Sequence, residues 1–516
     1  MDAAGEEGDV ITTYEQVQHF FNSMEGPSAQ ERIDGIVPYL VSLLPAPYVP
    51  APEVDSDSDD GRFSLTSSDS DASDAVAVQE DAFTAAPGDG EDHISRLPDT
   101  LLADIIHRLP IKDAGRTAAL STRWHRMWSG TPLLVDDAHL GAGETSNIPV
   151  VRALSRCIAA HPGPVRGVRV TRVSFYSHEY ALRRLVADLA DKDVQDLILF
   201  NRPWPLDMPL PDDILRCASL VRLYLGVWKF PETTAAHPPA FPDLRELGLF
   251  HSIVRNQELE ALLAHCPKLE VLSLVMSYHE PSRLRLSSGS LKIAVDWMSS
   301  FDEVVVEDAP SLERLLFQGM FKRRPVKIVR APRLEVLGVL DLDLHTLEIG
   351  GAVINAGMNV SARSMVPSLK ILAVKVNFAC NREAKLLPTL LKCFPHLKTL
   401  HIMPVPSISP DSIHDLRFWE HRAACECLES HLETVIVHGS LAEGHGAGFI
   451  RYIMREGKAL KTLSFVCSDE KAKGFRGSAV GGSGELAVSM VAPRWSFEAA
   501  LDSSLDDPFC AVWAQA

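Results

Sequence analysis

Four residues sit at metal-ligand spacing: His421, Cys425, Cys427 and His431, in the order His-x3-Cys-x-Cys-x3-His. Imidazole and thiolate are zinc ligands, and a structural zinc needs four of them at the corners of a tetrahedron. On a helix turning about 100° per residue, His421 and Cys425 lie at about 0° and 40°, and Cys427 and His431 at about 240° and 280°. The two pairs face apart, so this spacing predicts no metal centre. Gly444, Gly446 and Gly448 read as a turn between structural units. Neither GxxxxGK[ST] nor GxGxxG occurs, and GxSxG and HExxH are also missing from the sequence. The chain has 68 acidic side chains, but no spacing places two of them in one cleft for proton transfer. The expectation is a protein without catalytic residues, cofactor or metal.

The elements around these residues point elsewhere. At 516 residues the chain is too long for one core. Residues 1–92 hold 21 acidic and 2 basic side chains, a net of −19, while the whole chain carries −18. The remainder is therefore near neutral, which argues against a nucleic-acid surface built on bulk charge. Nine cysteines form no CxxC pair, and the N-terminus is acidic where a signal or transit peptide is basic. With no apolar run of about 18 residues, the expectation is an intracellular chain, nuclear or cytoplasmic, without a membrane span.

TYEQVQHFFNSM and ERIDGIVPYLVSLL, within residues 11–45, read as short helices. The Ser/Asp-rich stretch that follows cannot bury enough apolar surface to offset chain entropy and reads as disordered. The segment reads first as a solvated spacer, although Ser56 and Ser68, each with Asp three residues on, also suit an acid-directed kinase.

Residues 93–133 read as three helices. Pro98 and Asp99 suit a helix start, Ser121 a cap, and Asp113 a second cap. Leu97, Leu101, Leu102, Ile105, Ile106 and Leu109 spread over half the circumference of the first helix. Docking on its own core takes an apolar stripe of only about 100°. The surplus predicts either a partner or cover from the following domain. Gly115 inside the second helix is a local weakness.

From residue 194 a pattern L-x-x-L-x-L recurs as VQDLIL, LVRLYL, LRELGL, LEVLSL, LERLLF, LEVLGV, LKILAV, LKTLHI, LETVIV and LKTLSF, with a degenerate LKIAVD at 291. Most spacings fall within about 20–29 residues, the leucine-rich-repeat range. One strand and one helix or extended limb per repeat predict a curved solenoid. The ninth position is Asn only at Asn377, so the coil is of an irregular type. Residues between the leucines are expected on the concave side: Arg222 and Tyr224, Glu246, Val271 and Ser273, Arg314, Val336, Ile371, Thr399 and His401. They carry no single charge sign and no aromatic ladder.

HISRLPDTLLADIIHRLPIKDAGRTAALSTRWHRMW closely resembles the F-box at Leu97-Pro98, Leu101, Ile105, Leu109-Pro110, Asp113, Leu120-Ser121, Trp124 and Trp128. With leucine-rich repeats behind it, the chain resembles the plant F-box/leucine-rich-repeat proteins. The stretch from Phe418 to Phe465 is similar to the FBD motif that ends many of them, at Trp419, Cys427-Leu428, Leu432-Glu433, Gly439, Tyr452-Ile453 and Leu460-Lys461. The HRAAC insert departs from that motif's proline-containing spacer. The resemblance implies an α/β chain: a three-helix F-box followed by an irregular leucine-rich solenoid. Its divisions would be 1–45 N-terminal segment, 46–92 acidic linker, 93–133 F-box, 134–410 leucine-rich repeats, 411–467 FBD-like terminal repeats and 468–516 C-terminal tail. The F-box would dock on a Skp-type adaptor, and through it a cullin–RING ubiquitin ligase, by Leu97, Pro98, Leu101, Ile105, Leu109, Pro110, Leu120 and Trp124. The repeats would hold an unknown protein substrate by concave residues such as Arg222, Tyr224, Glu246, Arg314 and His401, and no nucleic acid or membrane. The rival reading is an interaction scaffold whose helical unit packs on the solenoid and recruits nothing.

Overall fold

The computed structural model describes residues 29–45, 94–109, 111–140, 147–202, 208–232, 241–278, 280–319, 322–405, 417–439, 445–466, 485–489 and 495–510. Pro110, Ser56, Ser68 and the acidic stretch lie outside these residues, as does TYEQVQHFFNSM. No described helix is long and apolar enough to cross a membrane.

A 14-stranded parallel sheet runs from Leu133–Asp136 to Glu485–Ser489 in chain order, interrupted only where alternate strands leave for a second sheet. The leucines set its register. Leu197, Leu223, Leu247, Leu272, Ala294, Leu315 and Leu337 are successive partners, and all point into the long core. Because side chains alternate across a strand, the residues between them form a parallel row on the other face. That row runs Ile198, Tyr224, Gly248, Ser273, Val295, Leu316 and Gly338. Two strands, Leu133–Asp136 and Val165–Val170, precede the first leucine pattern, so the coil begins earlier than the repeats announce.

Repeat length bears on the return limb, although the 35-residue repeat from 334 to 369 returns through the strand His345–Ile349. The longer spacings leave room for helices at Asn256–His265, Asn381–Cys393 and His445–Glu456. The three shortest return through strands instead, Arg283–Ser287, Glu303–Asp308 and Arg324–Ile328. An extended chain covers about 3.3 Å per residue against 1.5 Å in a helix, so fewer residues span the same return. With His345–Ile349 and Ala352–Val353 these limbs form a five-stranded sheet on the outer side.

The degenerate repeat has a physical cause. Asp296 stands where the pattern wants its last leucine, fully buried, and pairs with the equally buried Arg324 of the outer sheet. Rings of Phe301 and Phe317 flank the guanidinium at 5.5 and 5.6 Å.

Each turn off the inner sheet is tight. Val227, His251, Met276 and Met298, the residues directly after four consecutive inner strands, all have positive φ, 44° to 61°. Each still donates its N–H to the next strand, to Phe250, Val275, Trp297 and Gln318 respectively. The left-handed residue thus turns the chain without leaving the ladder.

The helical unit comprises Asp99–Arg108, Ile111–Thr117 and Thr122–Gly130. Ser121 caps as its sequence implies, its Oγ accepting from the Trp124 N–H at 3.3 Å. Asp113 does not cap: it lies inside the second helix and pairs with Arg116 at 2.8 Å.

Candidate functional site

Leu102, Ile106, Ala114 and Trp124 form the interior of the helical unit. Arg123 fixes the entry of the first helix by donating to Asp99 at 2.8 and 2.6 Å and to the Leu97 carbonyl at 2.6 Å. The unit joins the solenoid through Ile111, which belongs to the long core, and through Trp128, edge-on to His161 at 4.9 Å.

What this leaves outside is apolar. Leu101 is 50% exposed, Ile105 36% and Leu120 67%. Pro98 is exposed, and Leu97 and Leu109 are half-buried. Trp124 corrects the expectation: at 5% exposure it is interior and offers no surface to a partner. Its neighbours at i−3 and i−4, Ser121 and Leu120, turn outward while the indole fills the trio's centre.

The concave face departs further from its expectation. Arg222, Tyr224, Glu246, Arg314 and His401 do point to that side, but two distant segments of the chain cover it. The N-terminal helix Ala29–Ser42 and residues 495–510 lie on the inner sheet, and together with it they form a second core. In it are Ile36, Tyr39 and Leu40 from one segment, and Phe497, Ala500 and Phe509 from the other. The Trp297 indole donates to the Tyr39 hydroxyl at 2.8 Å, and burial pushes that hydroxyl up to about 12. Phe497 meets Phe250 and Trp297 edge-on at 5.8 and 5.2 Å.

The polar residues are likewise taken. Tyr224, almost fully buried, donates to Glu246 at 3.1 Å, and burial raises the Glu246 carboxyl. Arg222 pairs with Asp196 at 2.5 Å. Arg314 donates to the carbonyls of Asp502 at 2.7 Å, Ser503 at 3.3 Å and Leu505. His401, fully buried, lies 2.9 Å from both His438 and Asp507. Burial lifts the Asp507 carboxyl, but the hydrogen bond and charge of His401 outweigh it and leave it below the usual range. These five residues are therefore not an open target surface. An aromatic set does line the face, Phe200, Phe250 and Trp297, one position beyond each hexamer and so outside the pattern.

The terminal repeats gather around Trp419, which meets Phe449 at 5.4 Å and Tyr452 at 5.7 Å. Gly448 is not in a turn. It lies in the helix His445–Glu456, where a Cβ would stand 2.5 Å from the Trp419 ring. The presumed single helix around Cys425 is in fact two, Arg417–Glu420 and Glu426–Ser430. Cys425 and Cys427 approach to 3.3 Å, whereas His421 is exposed.

A helical trio with an outward apolar arc, fused to a leucine-rich solenoid, defines a class, and family models agree. The F-box domain model matches residues 94–136, the model described as "FBD-associated F-box protein At5g56370, LRR repeats" matches 182–402, and FBD matches 420–465. The chain thus carries an F-box, leucine-rich repeats and an FBD, in that order, and its relatives are F-box/FBD/LRR-repeat proteins of Arabidopsis thaliana. It is 28% identical to F-box/FBD/LRR-repeat protein At1g13570 over 44% of this chain and 53% of that protein. It is 26% identical to the putative F-box/FBD/LRR-repeat protein At5g44950 over 73% of this chain and 93% of that protein. With F-box/FBD/LRR-repeat protein At5g22660 the figures are 24%, 74% and 90%.

Proposed function

We propose that the chain is the substrate-recognition subunit of a cullin–RING (SCF-type) ubiquitin ligase, acting in the nucleus or cytoplasm. The F-box docks on a Skp-type adaptor, the solenoid receives the target, and ubiquitin transfer takes place on other subunits. The chain itself contributes proximity, not chemistry. The observation that carries this reading is the exposed arc of Leu101, Ile105 and Leu120 on a unit whose interior is already filled by Leu102, Ile106 and Trp124. A scaffold whose helices merely packed on the solenoid would have buried that arc.

Large aliphatic side chains stabilise a complex by about 1.5–3 kcal/mol each when fully buried. The triple variant Leu101→Ala/Ile105→Ala/Leu120→Ala is therefore expected to lose at least roughly 100-fold in affinity for a purified Skp-type adaptor, while keeping its helix content. Equal capture of adaptor by the wild type and the variant would overturn the assignment.

A further inference from the structure

The segment 495–510 occupies the concave face in a distinctive way. Among the described residues, its backbone-to-backbone hydrogen bonds run only within the segment, and none joins it to the backbone of the strands beneath. It is held by aromatic packing and by side chains of the solenoid, Arg314 on three carbonyls and His401 on Asp507. It is also internally capped. Ser496 Oγ accepts from the Ala499 N–H at 3.1 Å, Asp502 from the Ser504 N–H at 2.8 Å, and Asp507 from the Phe509 N–H at 3.0 Å. Such a segment can lift away without unzipping a single strand, as local openings do where ladder bonds are not at stake. Beneath it lie the rings of Phe250 and Trp297, the Arg314 guanidinium and the His401 imidazole.

We propose that residues 495–510 are a built-in stand-in for the target, and that the concave face takes a protein segment of the same chemistry. That segment would carry a short helix with an aromatic anchor between Phe250 and Trp297. A turn with free carbonyls for Arg314 follows, then a carboxylate for His401 beside a second aromatic. Recognition is of the helix-in-groove kind, and the target must displace the chain's own segment to bind. The inference rests on the solenoid being a target receptor, and its test does not involve the adaptor.

The probe is a fluorescent synthetic peptide of residues 495–510 with Cys510→Ser, added to full-length protein and followed by anisotropy. Phe497→Ala/Phe509→Ala in the protein should weaken its own segment and raise peptide affinity at least tenfold over wild type. A peptide carrying the same two alanines should not bind. Adding Trp297→Ala to the protein should abolish the gain. A folded double variant that binds the peptide no better than wild type overturns the proposal. A double variant that fails to fold also counts against it, because the segment is then part of the solenoid's core. Hydrogen exchange on the wild type provides the second measurement: amides of 497–502 should exchange at least tenfold faster than those of strands Val271–Val275 and Arg314–Gln318. Equal protection overturns the proposal. Adaptor capture by the same double variant should equal wild type; its loss would indict the ligase reading rather than this one.

Discussion

Four single residues carry sharp expectations. Asp296 and Arg324 share a site without solvent, where burial drives the Asp296 carboxyl up against the opposing charge of Arg324. Removing one partner leaves the other charge stranded, which costs about 3–5 kcal/mol, whereas replacing both with apolar groups is often neutral. Asp296→Leu and Arg324→Leu should each lower the urea midpoint sharply, and the double variant, which restores the leucine of the repeat, should recover most of the loss. Gly448→Ala places a methyl group against the Trp419 ring and is expected to cost about 1–3 kcal/mol in denaturant unfolding, as overpacked sites do. Alanine at Gly115 makes the opposite case. There a Cβ meets Trp128 at an ordinary 3.9 Å, so helix propensity prevails and a gain of up to about 1 kcal/mol is expected.

At the scale of elements, two strands hold histidines that burial keeps neutral. His345 opens the strand His345–Ile349 and accepts the Asp341 N–H at 3.0 Å; its pKa is held down at about 3 by burial, then by Arg324 and Lys375. His438 ends the strand Thr434–His438, at about 4, through burial and the neighbouring His401, with Asp507 opposing. Unfolding returns both to the ordinary value of about 6.5, so the unfolded state binds more protons below that pH. Stability is fully present above pH 6.5 and declines as pH falls toward 4. The melting temperature should thus drop between pH 7.5 and 5, and His345→Asn, whose amide oxygen can accept the same N–H, should flatten the decline. The elements themselves were largely legible in the sequence. Helix Asp99–Arg108 followed from its 3.6-residue periodicity, the cap at Ser121 from its side chain, and the inner strands from their leucines. The outer sheet was hidden because strands such as Arg283–Ser287 show only a two-residue alternation of charge and leucine, brief and unpunctuated. The cover over the concave face was hidden for a different reason. Amphipathicity in ERIDGIVPYLVSLL says that one side is buried but names no partner for it, and Phe250 and Trp297 fall just beyond the motif that would have flagged them.

At the scale of the molecule, the helix Ala29–Ser42 and residues 495–510 converge on one surface of the coil. That surface is a second hydrophobic core, with Phe200, Phe250, Trp297 and Met298 at its floor. Deleting residues 1–45 uncovers a contiguous apolar patch of the kind that drives association. Such a truncated protein should bind a hydrophobic dye and elute as oligomers in size-exclusion chromatography, whereas the intact chain should not.

The hydrogen bond between Tyr39 and Trp297 spans 258 positions of the sequence. Ribosomes extend a chain at about 5–20 residues per second. The helix Ala29–Ser42 is therefore made roughly 13–50 seconds before Trp297, and for that interval its apolar side lacks the seat it fills in the folded chain.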